Sequence, residues 1–410
     1  MSLPVPRTES DDPYAFVRQA IVIRQALARH LKAIGSDPFV RQDNPRYESG
    51  PLPAISVVVS LYNYAEYVEQ CLRSVEVAAR QVAEGVEIVV VDDDSSDASA
   101  ALASRVLAAS ELPACLLRKT FNTGVCDTRN LGIEMSRGEH VFILDADNLL
   151  LPKCLATLRA ALNSSGAAFA YGISARFDAR TGRGVGLNSQ FAWDPMELAR
   201  VPYIDAMALF TRSALVALGG YSSELIQYGW YGWDDYDLYL KIAGAGLRGE
   251  FVPRILCRYR DHATSMVRTT NRFVEGIAAY LEAKHGWLAD RYDHLEKRFF
   301  LPCRFEGSYD GIVEGKLVGW ASDRNRPERR IEVCLYDGVT AVVKVAADEL
   351  RWDLREAGVG DGCYGFSIPL PAALQDAKPH WVRLHFAGTR QQLPGTPFLY
   401  TANPKTGRKQ

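Results

Sequence analysis

The sequence predicts an α/β protein, a mainly parallel sheet between helices, followed by a small all-β sandwich. Nearly unbroken apolar runs at residues 55–59, 88–91 and 141–144 alternate with helical patterns, as do strands buried on both faces. After about Phe305 the period becomes two: Ile331, Val333 and Leu335 alternate with Glu332, Cys334 and Tyr336. Two of the apolar runs end in aspartate, at Asp92 and Asp145, on the sheet edge where α/β proteins bind ligands.

The elements follow in order. Residues 13–34 carry Phe16, Ala20, Ile23, Leu27 and Leu31 at helical spacing, and Gly35, Asp37 and Pro38 stop that helix. It reads as a helix packed on the next domain. A Pro- and Gly-rich loop then runs to Pro53. Asn63 is suited to cap a helix whose Val68, Leu72, Val75 and Ala79 share one face. Leu116 and Leu117 mark a weaker strand. Pro152 opens a helix carrying Leu155, Leu158 and Leu162. In the β region Asp337-Gly338 is a hairpin signal, and the sets Phe366, Ile368, Leu370 and Val382, Leu384, Phe386 alternate as strands do. The expected organisation is an N-terminal helix and linker at 1–53, an α/β domain at 54–271, a helical connector at 272–303, a β-sandwich at 304–402 and a tail at 403–410.

Bulk properties narrow the function. A chain of 410 residues exceeds one ordinary core. Its 48% hydrophobic and 23% charged residues are ordinary for a soluble globular protein, and a net charge of −2 gives no general attraction to nucleic acid. The eight cysteines form no Cys-x-x-Cys pair and read as reduced thiols in a cytosolic protein. The polar residues 1–12 do not read as a signal peptide, and no apolar run spans a bilayer. The expected location is cytoplasmic, with peripheral contact at the inner face of the membrane left open.

Three Asp-x-Asp spacings carry the chemistry: Asp92 with Asp94, Asp145 with Asp147, and Asp235 with Asp237. Carboxylates two apart on extended chain face one side and suit a hard divalent cation; the bland alternative is a turn of solvated aspartates. In the run 92–97, Ser96 or Asp97 suffices to cap the next helix, so four aspartates are an excess. A strand-end carboxylate there can accept from a base N–H or a ribose hydroxyl. The run 232–238 opens a helix. Its acids either satisfy the helix dipole or place a general base.

Taken together, residues 55–63, 91–97, Asn122 to Gly124 with 128–132, Asp145 to Asp147 and 233–237 resemble the ordered motifs of glycosyltransferase family 2. The resemblance covers residues 54–270. It implies the GT-A fold of nucleotide-diphospho-sugar transferases and an inverting transfer of a sugar from a nucleoside-diphosphate donor, UDP by preference, to an acceptor hydroxyl, with Mn²⁺ or Mg²⁺ as cofactor. The acceptor class stays open among glycans, lipid-linked glycans and proteins. Carried over by position, Asp92 or Asp93 faces the base, with the choice between the two open, Tyr62 lies near it, and Arg129 sits near the phosphates or orders the nucleotide pocket. Asp145 contacts ribose or a metal-bound water, Asp147 binds the metal, and Asp235 is the base. His262 reads either as a metal ligand or as structural. Trp230, Trp233 and Asp234 are candidates for the acceptor side, with core packing as the alternative for the aromatics. Arg258, Arg260 and Arg268 either neutralise a diphosphate or lie on a solvated surface. The sequence departs from the family in Asn148 where a third acid is usual, in Asp234 where Glu is usual, and in Cys126 and Asp127 before Thr128.

The C-terminal stretches 318–322 and 361–366 loosely resemble a β-sandwich accessory module of bacterial glycosyltransferases; Trp320 and Trp352 are expected in its core. Two rival readings are a decayed transferase serving as a carbohydrate-binding or scaffold protein, and a sugar nucleotidyltransferase. Retention of Asp147 and Asp235 argues against the first. The loop after the first strand, 61–65, lacks the Gly-rich, basic character the second requires.

Overall fold

A computed structural model describes residues 14–48, 51–262, 266–270, 273–286, 305–324, 327–387 and 391–402. They fall into two compact units, one within Met1–Trp193 and Ile204–Lys297, the other within Asp194–Tyr203 and Arg298–Gln410.

The first unit opens with α1 (Ala15–Ala33) and β1 (Phe39–Asp43). Then follow β2 (Ile55–Leu61), α2 (Val68–Ala79), β3 (Val86–Asp92), α3 (Ser99–Ala108), β4 (Ala114–Lys119), α4 (Val125–Met135) and β5 (His140–Asp145). Strands β4, β3, β2 and β5 lie parallel in that order. Every residue of β2 and β3 is buried, which explains their continuous apolar runs. Chain order reverses between β2 and β5, a topological switch point, and the carboxyl ends of both strands leave the sheet on one edge.

The remaining strands make the sheet mixed. They are β6 (Leu149–Leu150), β7 (Phe169–Asp178), β8 (Gly184–Asn188), β9 (Ala208–Thr211) and β10 (Gly249–Asp261). The full order is β1-β4-β3-β2-β5-β9-β7-β10-β6, with β8 on β7. Helices α5 (Cys154–Ser165), α7 (Arg212–Ala217), α8 (Asp234–Gly244), α9 (Val267–Thr270) and α10 (Val274–Lys284) complete the unit, and α6 (Pro195–Arg200) belongs to the other. The expected connector is described only as far as residue 286; the rest of 272–303, and the tail 403–410, lie outside the described residues.

Three local expectations need correction. Strand β1, inside the supposed linker, pairs antiparallel with β4 from Phe39↔Lys119 to Asp43↔Cys115. It is an edge strand exposed along most of its length, so its sequence carries no apolar signal. Asn63 does not cap α2. It sits at φ +55 with its side-chain oxygen accepting the Ser96 N–H at 2.8 Å, and Tyr67 precedes the helix. The apolar positions of α1 do not pack: its buried residues are Arg18, Ile21 and Gln25. The expected apolar face of α2 is buried as read.

The second unit holds two antiparallel sheets around one core. One runs β11 (Phe305–Val313), β12 (Lys316–Asp323), β16 (Cys363–Pro369), β15 (Glu349–Leu350); the other β14 (Thr340–Ala347), β13 (Ile331–Asp337), β17 (Pro379–Phe386), β18 (Phe398–Thr401). Phe366, Phe386, Leu335 and Ile368 fill the core. Neither tryptophan expected there is in it: Trp320 is half-buried, and Trp352 is 63% exposed beside Arg355. The core phenylalanines take that volume instead. Helix α6 joins this unit through Glu197, 3.5 Å from Lys344, a departure from the single block expected at 54–271.

Among the described residues no helix is long and apolar enough to cross a membrane. The seven described cysteines carry free thiols. Asn44 ties β1 to the unit, since its amide donates to Leu107 O at 3.0 Å and Leu112 O at 2.9 Å while its oxygen accepts the Ala114 N–H. Asn44→Ala is expected to lower unfolding free energy by about 2–3 kcal/mol, read from the shift in a urea unfolding curve.

Candidate nucleotide and transfer site

The aspartates singled out above divide by whether the fold already uses their oxygens. Asp92 ends β3 and is 2% exposed. Its Oδ2 accepts a long hydrogen bond from Ser95 N–H at 3.4 Å, and Oδ1 has no partner. Burial pushes its carboxyl above the ordinary value, against the hydrogen bonds from Ser95. Asp93 is 3% exposed and saturated: Oδ1 accepts from Thr123 N–H at 3.0 Å and pairs with Lys119 at 2.7 Å, and Oδ2 accepts from Gly124 N–H at 2.9 Å. It clamps the turn that launches α4. Gly124 stands at φ +92 in that turn, where a Cβ would run into the Tyr231 ring. Asp93, read from sequence as facing the base, is a structural anchor.

Arg129 on α4 is buried and bridges two motifs. It pairs with Asp145 Oδ1 at 2.7 Å and with Asp234 at the start of α8. Burial pulls its pKa down, but the charges of Asp145 and Asp234 outweigh that and hold it well above the ordinary value. Its guanidinium thus fixes Asp145 and Asp234 relative to one another. Asp145 also accepts from the Ser60 hydroxyl at 2.7 Å. Asp234, expected on the acceptor side, is buried with both oxygens engaged, Oδ1 accepting from Gly232 N–H at 3.0 Å and Oδ2 on Arg129.

Asp147 and His262 meet. The imidazole Nε2 lies 2.9 Å from Asp147 Oδ2, while Oδ1 is buried without a partner. Tyr64 and Tyr67 flank the imidazole at 5.7 and 5.5 Å. Burial pushes the Asp147 carboxyl up, against the hydrogen bond from His262. Asn148, in the place of a third acid, accepts Arg260 N–H at 2.9 Å. The Arg260 guanidinium donates to Asp147 O at 2.7 Å and to Gln70 at 2.7 Å, so it braces the loop instead of waiting for a diphosphate. Arg258 lies over the Phe177 ring; the Arg268 side chain lies outside the described residues.

Asp235, in the first turn of α8, follows directly on Asp234. Its Oδ1 accepts Tyr236 N–H at 2.7 Å. Burial and then the Asp234 charge push its carboxyl up to about 8, with Arg129 opposing. Asp237, the other half of that spacing, is buried with His285 at 2.9 Å and Lys284 at 3.0 Å. These partners outweigh the effect of burial and hold its carboxyl well below the usual range. Tyr62 is exposed just beyond β2. Trp233 is half-buried, edge-on to Tyr236 at 5.8 Å. Trp230, expected at an acceptor site, packs with Tyr14 at 5.5 Å and Phe273 at 6.3 Å.

The sequence reading missed Ser60, Tyr64, Lys119 and Gln70. Ser60 alone left a signal, as a polar residue in the apolar run of β2.

Residues 56–219 match the family model described as glycosyl transferase family 2, and the sheet that holds them has the GT-A fold. An uncharacterized protein of Mycobacterium tuberculosis (strain CDC 1551 / Oshkosh) is 40% identical over 106 residues, 26% of this chain and 31% of that one. The putative glycosyltransferase EpsH of Bacillus subtilis (strain 168) is 34% identical over 110 residues, 27% of this chain and 30% of that one. The matched stretch thus spans less than a third of either relative. A mannosyltransferase from Pyrobaculum calidifontis, solved with GDP-Man and Mn²⁺, superposes with a TM-score of 0.45 at 21% identity, over 70% of this chain and 83% of that one.

The saturated and the open aspartate are expected to separate cleanly. Asp93→Ala leaves buried Lys119 with Asp127 as its one carboxylate and strips the Thr123 and Gly124 N–H groups of their acceptor, and should cost about 3–5 kcal/mol of stability. Asp92→Asn should leave the melting temperature unchanged or raise it. Thermal unfolding of both variants checks this.

Proposed function

We propose that this protein is a metal-dependent, inverting glycosyltransferase that moves a sugar from a nucleoside-diphosphate donor, UDP by preference, to an acceptor hydroxyl in bacterial glycan synthesis. The observation that carries the reading is the Arg129 bridge. It joins the strand-end Asp145 to the opening of α8, where Asp235 follows Asp234.

The donor side rests on buried oxygens that the fold leaves open. Asp92 Oδ1 accepts the ring N–H of the base, whose binding offsets the desolvation of that carboxylate. Tyr62, exposed beyond β2, lies against the base. Asp145 takes a ribose hydroxyl or a metal-bound water.

Asp147 and His262 fit a divalent cation: one buried carboxylate oxygen without a partner, and one imidazole nitrogen 2.9 Å from the other oxygen. Among the described residues no group of three or more His, Cys, Asp or Glu side chains converges as a metal site. In this reading Asp147 and His262 supply donors and diphosphate and water take further positions, which suits Mn²⁺ or Mg²⁺. When bound, the cation offsets charge on the departing diphosphate.

On the acceptor side, Asp235 takes the proton of the hydroxyl. The hydroxyl oxygen forms a bond to the anomeric carbon from the face opposite the donor. The bond from that carbon to the diphosphate oxygen breaks, and its electron pair leaves on the nucleoside diphosphate. The configuration inverts and no covalent glycosyl-enzyme forms. Trp233, next to the base in sequence and half-buried, offers a ring face to the acceptor.

Asp235→Asn is expected to keep donor binding, measured by calorimetry, and to lower the transfer rate at least about a hundredfold. Transfer at the wild-type rate would remove the base assignment. A base whose pKa stands at about 8 is protonated below it. The kcat/KM of the wild type should therefore rise with pH and level off above about 8, and a profile already flat from pH 6 would contradict the role.

A further inference from the structure

Helix α1 is turned the opposite way from an ordinary packing helix. Its buried side sets two polar residues around Ile21: Gln25 donates to Thr123 O at 2.9 Å and to the Tyr231 hydroxyl at 2.8 Å, and Arg18 lies over the Phe273 ring. Four large apolar residues point outward. Phe16, Ile23, Leu27 and Ile34 are 80%, 61%, 44% and 65% exposed. At about 100° per residue these four fall within about 40° of one another, diametrically opposite Gln25, in a stripe about 27 Å long.

The charge on the helix is one-sided. Within Ala15–Ala33 stand Arg18, Arg24, Arg29, His30 and Lys32, with no aspartate or glutamate. Lys32 pairs with Glu134 at 2.5 Å. Arg24 and Arg29 are exposed and pair with no described residue. Arg24 and His30 border the stripe, one on each side.

We propose that α1 docks this protein on an anionic lipid bilayer, with the stripe at the level of the acyl chains and Arg24 among the headgroups. An apolar stripe flanked by an unpaired arginine, on a helix that carries basic residues and no anions, is the pattern of an interfacial helix. A second copy of the chain fits less well. Arg24 lies at the middle of the stripe, and a two-fold contact along it sets each Arg24 against its own copy. The Gln25 bonds fix α1 to the turn that Asp93 clamps, so the first unit is held to the surface through a rigid joint. The inference stands on α1 and does not rest on the transferase reading.

The test is sedimentation of the full chain with phosphatidylcholine vesicles, with and without phosphatidylglycerol, at low and high salt. The wild type should sediment with the anionic vesicles only, and less as salt is added. The variants Ile23→Glu with Leu27→Glu, and Arg24→Glu, should each lose at least about tenfold in partitioning while keeping the wild-type melting temperature. A wild type that stays in the supernatant with anionic vesicles overturns the proposal, as do variants that sediment equally. So does a dimer, seen by light scattering, that Ile23→Glu with Leu27→Glu dissociates while no vesicle binds; the stripe would then join two copies.

Discussion

The site depends on one buried cation. Arg129 lies inside the unit with two carboxylates on it, Asp145 at the end of a central strand and Asp234 at the start of α8. Three elements distant in sequence thereby meet at one guanidinium, whose planar fork can serve two carboxylates at once. Such a buried group contributes little net stability, because desolvation offsets much of the attraction. Its effect is positional. Loss of either carboxylate leaves half of the fork unpaired, so α8 is held in register with the strand-end acids.

That arrangement sets the electrostatics of the neighbouring residues. Asp234 is neutralised by Arg129, and Asp235 follows it in sequence with a similar side chain but no cation of its own. Burial and the Asp234 charge therefore raise the proton affinity of Asp235 into the range useful to a base near neutral pH. Asp92 and Asp147 each keep one buried oxygen open. Open, desolvated oxygens are costly in the free protein and are the groups a ligand satisfies. Asp93, Asp234 and Asp237 have spent theirs on Lys119, Arg129 and the His285–Lys284 pair.

Much of the parallel sheet was legible, because strands buried on both faces must be continuously apolar. The runs at β2, β3 and β5 announced themselves, and so did the acids at their ends. Strand β1 was not legible, since an exposed edge strand of Phe39, Val40, Arg41, Gln42 and Asp43 carries no periodic signal. Nor was the passage of α6 to the second unit, because short apolar segments look alike whichever core receives them. Sequence singled out the acids at these strand ends but could not say which were open. Asp92 and Asp93 are adjacent and chemically identical, and only the partners on β4 and the following turn tell them apart. Trp230 failed in the same way: its proximity to Asp235 in sequence hid its packing on Tyr14 and Phe273.

The second unit is a self-contained pair of antiparallel sheets with its own core, and the chain enters it twice, at Asp194–Tyr203 and after Arg298. Asp92 and Asp147, with their open buried oxygens, lie in the first unit, near the edge where β2, β3 and β5 end. The central claim is that this edge holds a nucleoside diphosphate together with a cation on Asp147. The direct measurement is thermal stabilisation by a panel of nucleoside diphosphates with Mn²⁺, with Mg²⁺ and with EDTA. The account predicts that one nucleotide stabilises the protein in a metal-dependent way, by about 2.7 kcal/mol at a hundred times its dissociation constant, and that Asp147→Ala abolishes the effect. No stabilisation by any nucleotide with either metal would contradict it.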